Sequence, residues 1–155
     1  MGEHTARIVW ERKDGEPFLD KKYSRRHEWH FDGGAVVVAS SSTGTVPEPM
    51  SDPFGVDPEE ALVAAISSCH MLWFLALAAK HRFRVDHYHD APFAEMGKND
   101  AGKTAVTKVT LRPKVEFGGD SVPDHAQIYE LHHQAHELCF IANSVRSEVL
   151  VEPVL

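Results

Sequence analysis

The segment from Asp57 to Lys80, DPEEALVAAISSCHMLWFLALAAK, decides the fold because it predicts one long helix with almost no polar side. Asp57 is a favourable N-cap, Pro58 suits the first helical position, and Glu60 completes a capping box. From Ala61 to Ala79 nearly every side chain is apolar, so no face of the helix is left for water. Such a helix is enclosed either by protein or by lipid.

The apolar run, residues 61–79, is close in length to a membrane span. However, the tetrapeptide Ser67–His70, SSCH, lies at its middle, where polar groups are costly in hydrocarbon. The rest of the chain has the composition of an ordinary soluble protein. We therefore predict a central core helix with a cysteine in its interior, in a protein with no membrane partner.

The composition favours one soluble domain. A chain of 155 residues is long enough to bury a core, and we predict a single domain over residues 1–155. The formal net charge of −7 argues against nucleic acid or an anionic membrane as the main partner. The N-terminal stretch is polar and lacks the apolar segment of a signal peptide, so we expect a cytoplasmic location.

Strand-like runs stand on both sides of the predicted helix. Before it, two β-prone runs surround Asp32-Gly33-Gly34, which is a strong hairpin signal. After it, two longer runs flank Lys98–Gly102 and predict a second hairpin. The predicted strands cover residues 6–11, 27–31, 35–40, 83–96, 104–117 and 147–154.

A second helix is predicted from the start signal at Ser121–Asp124 to about Leu138, with an apolar stripe at the 3, 4, 3 spacing of a helix. That stripe consists of Ile128, Leu131, Ala135 and Leu138. The order strands, helix, strands, helix, strand predicts an α+β fold with an antiparallel sheet packed around a long buried central helix.

The chain has two cysteines, Cys69 and Cys139. In the cytoplasm such a pair is expected to be free, metal-bound or redox-active rather than a structural disulfide. An ordinary thiol is mostly protonated at neutral pH, so a reactive Cys69 needs a cationic neighbour, for which Arg25 and Arg26 are candidates. The residues alone leave two alternatives open, which are inert buried thiols and arginines on a solvated loop.

Eleven histidines raise the possibility of a metal site. His132 and His136 lie one turn apart on the second predicted helix, and His87 and His89 share one face of a strand. Neither an HExxH nor a CxxC motif accompanies them, and a ligand pair needs a third partner. We therefore predict scattered surface histidines and no metal.

Three segments of the chain resemble a known family. Residues 57–70, with Glu59-Glu60 after Asp57-Pro58 and then AAISSCH, resemble the central-helix motif of the OsmC/Ohr family of thiol-dependent hydroperoxide reductases. Residues 136–144, HELCFIANS, resemble the second-cysteine motif of that family. Residues 23–34, YSRRHEWHFDGG, resemble the entry to the N-terminal hairpin in its OsmC-like branch.

The resemblance implies a two-cysteine peroxidase without metal, haem or another cofactor. Cys69 would be the peroxidatic residue, which attacks the O–O bond of an organic hydroperoxide and becomes a sulfenic acid. Cys139 would be the resolving residue, which forms a disulfide that an external dithiol, typically a lipoylated protein, then reduces. Arg25, or alternatively Arg26, would hold the thiolate, and Glu59 would anchor the arginine through a bidentate pair. The family fold also implies an intertwined homodimer with sites at the interface.

Two features of the chain limit this transfer. Phe140 follows Cys139 where many members of the Ohr branch have proline, so the substrate range of that branch is not carried over. Glu59 and Cys69 are about 15 Å apart on a straight helix, which an arginine must span unless the helix breaks before Cys69. The apolar helix favours lipid-like or aryl peroxides over hydrogen peroxide. The alternative function is a redox sensor or small-ligand-binding protein that uses the same fold without efficient turnover.

Overall fold

The structure of the protein, a computed structural model, describes residues 2–155. The chain divides into two compact units, Met1–Ala61 and Leu62–Leu155. The elements in chain order are β1 (Ala6–Val9), β2 (His27–Phe31), β3 (Val36–Ala39), α1 (Pro58–Lys80), β4 (Arg84–His89), β5 (Phe93–Lys98), β6 (Thr104–Leu111), β7 (Lys114–Gly118), α2 (His125–Leu138), a short 3-10 turn (Ala142–Ser144) and β8 (Glu148–Val151). The predicted α+β class is confirmed.

The first unit contains a three-stranded antiparallel sheet in the order β1-β2-β3. The hairpin predicted at Asp32-Gly33-Gly34 joins β2 to β3. Gly34 has a φ of +91°, which few residues other than glycine adopt, and its N–H donates to the Phe31 carbonyl at 3.0 Å. The turn chemistry in the sequence therefore fixed this hairpin.

Helix α1 begins as predicted. The Asp57 side chain accepts from the Glu60 N–H and the Glu60 side chain accepts from the Asp57 N–H, each at 2.8 Å, so the capping box is formed. The helix then runs without interruption from Pro58 to Lys80, and the alternative of a break before Cys69 is wrong. By length and composition α1 is apolar enough to cross a membrane, which is also true of the core helices of many soluble proteins.

Within the second unit, α1 buries one face and leaves another open. The buried residues Val63, Ile66, His70, Phe74 and Leu77 recur at the 3, 4, 4, 3 spacing of a helix, and Ala78 beside Leu77 is also buried. Ala64, Ser68, Leu72 and Ala76 are exposed and recur every fourth residue. Leu72 keeps 61% of its surface exposed. The core helix is confirmed, but one chain covers only one of its sides.

The second unit holds two sheets. Strands β4 and β7 pair antiparallel, while β5, β6 and β8 form a separate sheet in that order. The predicted hairpin at Lys98–Gly102 joins β5 to β6, but the two long predicted runs each divide into two strands. They break beside Pro92 and Pro113, because proline has no N–H for a strand ladder. The predicted antiparallel sheets are confirmed, with one addition that was not predicted, since β8 runs parallel to β6.

Helix α2 begins at His125, directly after the predicted start signal at Ser121–Asp124, and ends at Leu138 as predicted. Asp124 is the N-cap and forms a reciprocal capping box with Gln127. Its buried residues include Leu131 and Ala135, as predicted, whereas Leu138 is 40% exposed. The third buried residue of α2 is His132, which was not part of the predicted apolar stripe.

Two apolar clusters form the core of the second unit. One joins α1 to α2 and contains Phe74, Leu77, Ala78, Leu131 and Ala135. The other joins α1 to β6 and contains Val63, Ile66, Val109 and Leu111. The single buried polar residue of α1, His70, lies on the helix between these two groups.

Candidate functional site

The first unit carries an open cavity of about 560 Å³. Most of its wall is apolar, and its polar groups include one arginine and one glutamate. The lining residues are Ile8, Trp10, Phe18, Tyr23, Arg25, His27, Ser40, Ser41, Ser42, Thr45, Pro58 and Glu59. This volume is in the range of cavities that hold small organic molecules.

Three aromatic rings form one wall of the cavity. Phe18 and Tyr23 stack with their ring centroids 4.6 Å apart, and Trp10 meets Tyr23 edge-on at 5.7 Å. Trp10 is held in place because its indole N–H donates to the Ser24 carbonyl at 2.8 Å. The cluster offers a preformed apolar surface that is open to solvent.

Arg25 lies at the polar side of this cavity. Its Nη1 donates to the carbonyls of Lys21, at 2.8 Å, and Tyr23, and its guanidinium carbon lies 3.6 Å from the centroid of the Tyr23 ring. The main-chain N–H of Arg25 donates to the Met50 carbonyl at 2.7 Å. Main-chain carbonyls of its own loop therefore hold the guanidinium in a fixed place.

Glu59 lines the same cavity as Arg25, but the bidentate pair predicted between them is not among the ion pairs of residues 2–155. The recorded donors of Arg25 are directed at loop carbonyls instead. The structure thus brings the two residues into one cavity without joining them directly.

Arg26 has a different environment. Its Nη1 pairs with the Asp52 carboxylate, and about half of its side chain is exposed. The pKa of Asp52 is lowered by the hydrogen bond from the Phe54 N–H and, next, by Arg26. Of the two candidate arginines, Arg25 lines the aromatic cavity and Arg26 forms a surface ion pair.

The two cysteines come together within the second unit. Cys69, on α1, is partly exposed, while Cys139, at the C-terminal cap of α2, is completely buried; both are free thiols. The two thiols are neighbours, since Cys69 influences the pKa of Cys139 and Cys139 Sγ contacts the turn of α1 just before Cys69. Cys139 Sγ also accepts from the Ala142 N–H at 3.4 Å and lies 3.9 Å from the Ile66 carbonyl of α1.

The two thiols differ in their surroundings. Burial raises the pKa of Cys139 to about 11, with the Cys69 thiol adding to the rise and the Ala142 N–H opposing it. At neutral pH Cys139 therefore keeps its proton, and its S–H can donate to the Ile66 carbonyl. The pair combines a reachable sulfur with a protected one.

A buried histidine pair lies beside the cysteines, which corrects the prediction of scattered surface histidines. His70 Nε2 and His132 Nδ1 are 3.0 Å apart, and their rings lie nearly parallel at 6°. Burial, and next the charge of a neighbouring histidine, lowers the pKa of His70 to about 4 and that of His132 to about 3. The spacing Ile66, His70, Phe74 along the buried face of α1 is a signal by which the sequence could have revealed His70.

Asp90 is a further residue that the sequence did not single out. Its carboxylate accepts from the Ser67 hydroxyl at 2.5 Å and from the Arg112 N–H at 2.7 Å. It therefore ties α1, two residues before Cys69, to the start of the turn between β6 and β7.

Among residues 2–155, no group of three or more His, Cys, Asp or Glu side chains is arranged to hold a metal ion.

Comparisons with known proteins agree with this architecture. Residues 50–153 match the family model described as OsmC-like protein. The chain is 55% identical to an OsmC-like protein of unknown function from Vibrio cholerae, with a TM-score of 0.98 over 99% of this chain and 100% of that one. None of the curated proteins compared with the chain matches it.

More distant solved structures share the fold. The organic hydroperoxide resistance protein OhrB of Bacillus subtilis is 18% identical, with a TM-score of 0.64 over 97% of this chain and 98% of that one. An OsmC-like protein from Mycoplasma pneumoniae is 12% identical, with a TM-score of 0.74 over 99% and 97% of the two chains. As its two cysteine motifs predicted, the chain belongs to the OsmC-like family.

Proposed function

We propose that this protein is a thiol-dependent peroxidase that reduces organic hydroperoxides, with Cys69 as the peroxidatic and Cys139 as the resolving residue. The observation that carries the proposal is the pair of neighbouring free thiols, one partly exposed and one buried. Membership of the OsmC-like family supports it, since fold relatives include proteins named for organic hydroperoxide resistance.

The difference between the two thiols supports these roles. The Cys69 thiolate attacks the terminal oxygen of the hydroperoxide, the O–O bond breaks, and the released alkoxide takes up a proton to become an alcohol. Cys69 is left as a sulfenic acid. The Cys139 sulfur then attacks the Cys69 sulfur, the S–O bond breaks, and the oxygen leaves as water with the Cys139 proton. An external dithiol, such as a lipoylated protein, reduces the disulfide by exchange.

Arg25 and Glu59 complete the proposed set of catalytic residues. The family resemblance assigns the arginine to the thiolate and the glutamate to the arginine. Arg25 is the better of the two arginine candidates because Arg26 is engaged with Asp52. The aromatic wall of Trp10, Phe18 and Tyr23 supports an organic group as part of the substrate, in preference to hydrogen peroxide.

The proposal includes a homodimer in the cytoplasm, with no nucleic acid or membrane partner. The exposed stripe of α1, Ala64 to Ala76, supports association because each buried Å² of apolar surface contributes roughly 25 cal/mol. Analytical ultracentrifugation at low micromolar concentration should give a dimer, and Leu72→Glu should shift it toward the monomer. A parent protein that sediments as a folded monomer would contradict this part of the proposal.

The experiment that tests the function is turnover of cumene hydroperoxide with dihydrolipoamide as the reductant. We expect many turnovers for the parent protein, none for Cys69→Ser, and a single oxidation without dithiol-dependent turnover for Cys139→Ser. Mass spectrometry of the parent protein after one equivalent of peroxide should show the loss of two hydrogens and one peptide that links Cys69 to Cys139.

The alternative is a redox sensor or small-ligand-binding protein. The wide aromatic cavity favours it, because such a cavity suits a bound ligand as well as a substrate. The same assay separates the two functions. One stoichiometric oxidation followed by very slow reduction supports the sensor, whereas sustained turnover supports the enzyme.

A further inference from the structure

The buried polar contact between α1 and α2 is the His70–His132 hydrogen bond. His70 follows Cys69 directly on α1, and His132 lies on α2, which ends with Cys139 as its C-cap. Both histidines are at most 2% exposed. Each cysteine is thus carried by an element that also carries one member of the histidine pair.

The contacts around this pair are mainly apolar. Phe74, Leu77 and Ala78 of α1 pack against Leu131 and Ala135 of α2. Apolar packing has little directional preference, and it tolerates small shifts of one helix along the other. A hydrogen bond of 3.0 Å between two ring nitrogens does not, since its strength falls steeply when distance or angle changes.

The His132 ring contacts two aromatic side chains of α1, His70 through its edge and Phe74 through its face. The His70 ring lies nearly parallel to it, with a centroid distance of 5.3 Å, and the Phe74 ring stacks on it at 4.2 Å. His70 and Phe74 are one turn apart on α1, so His132 contacts two successive turns of that helix. This arrangement sets both the height and the rotation of α2 relative to α1.

The cysteine pair depends on that setting. Cys139 Sγ lies 3.9 Å from the carbonyl of Ile66, which is the helical hydrogen-bond partner of the His70 N–H. A disulfide requires a sulfur–sulfur distance of about 2.05 Å and a narrow range of Cα separations, so a small shift between the helices weakens it. The histidine contact and the thiol contact therefore share one turn of α1.

We propose that His70 and His132 are positioning residues, whose hydrogen bond holds Cys69 and Cys139 in register for disulfide formation. The proposal rests on the proposed function only in taking the disulfide as the species that the protein uses. The step itself joins the two sulfur atoms and releases either water from a Cys69 sulfenic acid or, in a thiol–disulfide buffer, two electrons and two protons to the oxidised reagent.

The test measures the equilibrium between the full-length protein and a buffer of reduced and oxidised dithiothreitol, which requires no peroxide. His132→Asn places a polar atom where His132 Nδ1 stands, whereas His132→Leu keeps the apolar packing and removes the hydrogen bond. The exposed neighbour His133→Leu is the matched control on the same helix. Thermal unfolding of each variant reports its stability separately.

We expect His132→Leu to lower the equilibrium constant for the Cys69–Cys139 disulfide about tenfold, which corresponds to about 30 mV for this couple. His132→Asn should remain within about threefold of the parent, and His133→Leu should be unchanged. Because leucine fills the core at least as well as asparagine, a purely structural role predicts the reverse order. Equal constants for the Leu and Asn variants would overturn the proposal.

A second matched pair covers the case in which His132→Leu does not fold. His70→Gln keeps a polar atom at the position of His70 Nε2, and His70→Met removes it at similar size. The same rescue by the polar variant is expected, and its absence would overturn the proposal. Peroxide turnover of the parent protein and of each variant is measured in parallel. If the parent protein does not turn over peroxide but the polar variants rescue the disulfide, the proposed function fails and the positioning role stands. If the parent protein turns over peroxide but the polar variants do not rescue the disulfide, the positioning role fails and the proposed function stands.

Discussion

The aromatic cavity of the first unit and the cysteine–histidine core of the second are built in opposite ways. In the first, polar and apolar groups stand open to solvent, and a loop holds Arg25 by its main-chain carbonyls. In the second, Cys139, His70 and His132 are almost fully enclosed, and their ionisation is shifted by burial. The open region suits the recognition of a small molecule. The closed region keeps Cys139 and the two histidines away from water.

The largest effect expected is the acid sensitivity of the closed region. His70 has a folded-state pKa of about 4, below its ordinary value of 6.5. Between these two pH values His70 is protonated in the unfolded chain and neutral in the folded chain. The stabilisation is complete above pH 6.5 and falls as the pH drops toward 4, by about 3 kcal/mol from His70 alone.

Urea unfolding at a series of pH values measures this effect. His70→Gln, which does not titrate, should flatten the acid side of the profile, while the exposed control His133→Gln should keep the parent slope. A parent protein whose unfolding free energy stays constant between pH 6.5 and pH 4 would show that the histidine pair is not enclosed in solution.

The next effect concerns the open region and its arginine. If Arg25 stabilises the Cys69 thiolate and orients the peroxide, Arg25→Ala should slow peroxide reduction by more than about tenfold, which exceeds about 1.4 kcal/mol. Arg26→Ala breaks only the surface pair with Asp52 and should stay within about threefold, because exposed ion pairs contribute little.

Stopped-flow rates and thiol titrations of the two variants measure this contrast. Arg25→Lys is the useful third variant, since it keeps the charge but not the planar group. Should Arg25→Ala and Arg26→Ala both react at the parent rate, the two regions would act independently, and another group must activate Cys69.

The smallest effect tests the aromatic wall. Phe18→Ala removes the ring that stacks on Tyr23, and we expect KM for cumene hydroperoxide to rise about fivefold, or roughly 1 kcal/mol. The rate with hydrogen peroxide should be unchanged, because that substrate has no organic group to contact the wall. Leu19→Ala, at a neighbouring exposed position outside the cavity lining, is the control. A similar loss for both peroxides would assign Phe18 to the fold instead of the substrate.

Much of the fold could be predicted because its determinants are local. Asp57 with Glu60, and the glycines of the hairpin turn, act within a few residues and were read correctly from the chain. Pro92 and Pro113 are equally local signals for the end of a strand, but the predicted runs 83–96 and 104–117 continued through them. The parallel pairing of β6 with β8 depends on tertiary packing, which strand patterning does not encode.

The candidate site was less predictable from its parts. The two cysteine motifs predicted that Cys69 and Cys139 lie close together. The position of the Arg25 guanidinium could not be predicted, because it depends on hydrogen bonds to main-chain carbonyls, which side-chain patterns do not encode. The burial of His132 was hidden because histidine is polar in composition and suits either a surface or a satisfied core position. Its partner on α1, His70, satisfies one of its two ring nitrogens, while Nε2 is buried without a protein partner.

The complete burial of Cys139 also determines which of the two cysteines is open to irreversible oxidation. Further oxidation of a sulfenic acid to sulfinic and sulfonic acids is irreversible in most proteins and follows exposure and thiolate character. Cys139 has neither, since it is fully enclosed and keeps its proton at neutral pH. If Cys69 is the peroxidatic residue, as proposed, excess peroxide should overoxidise the Cys69 sulfur and leave the Cys139 sulfur intact.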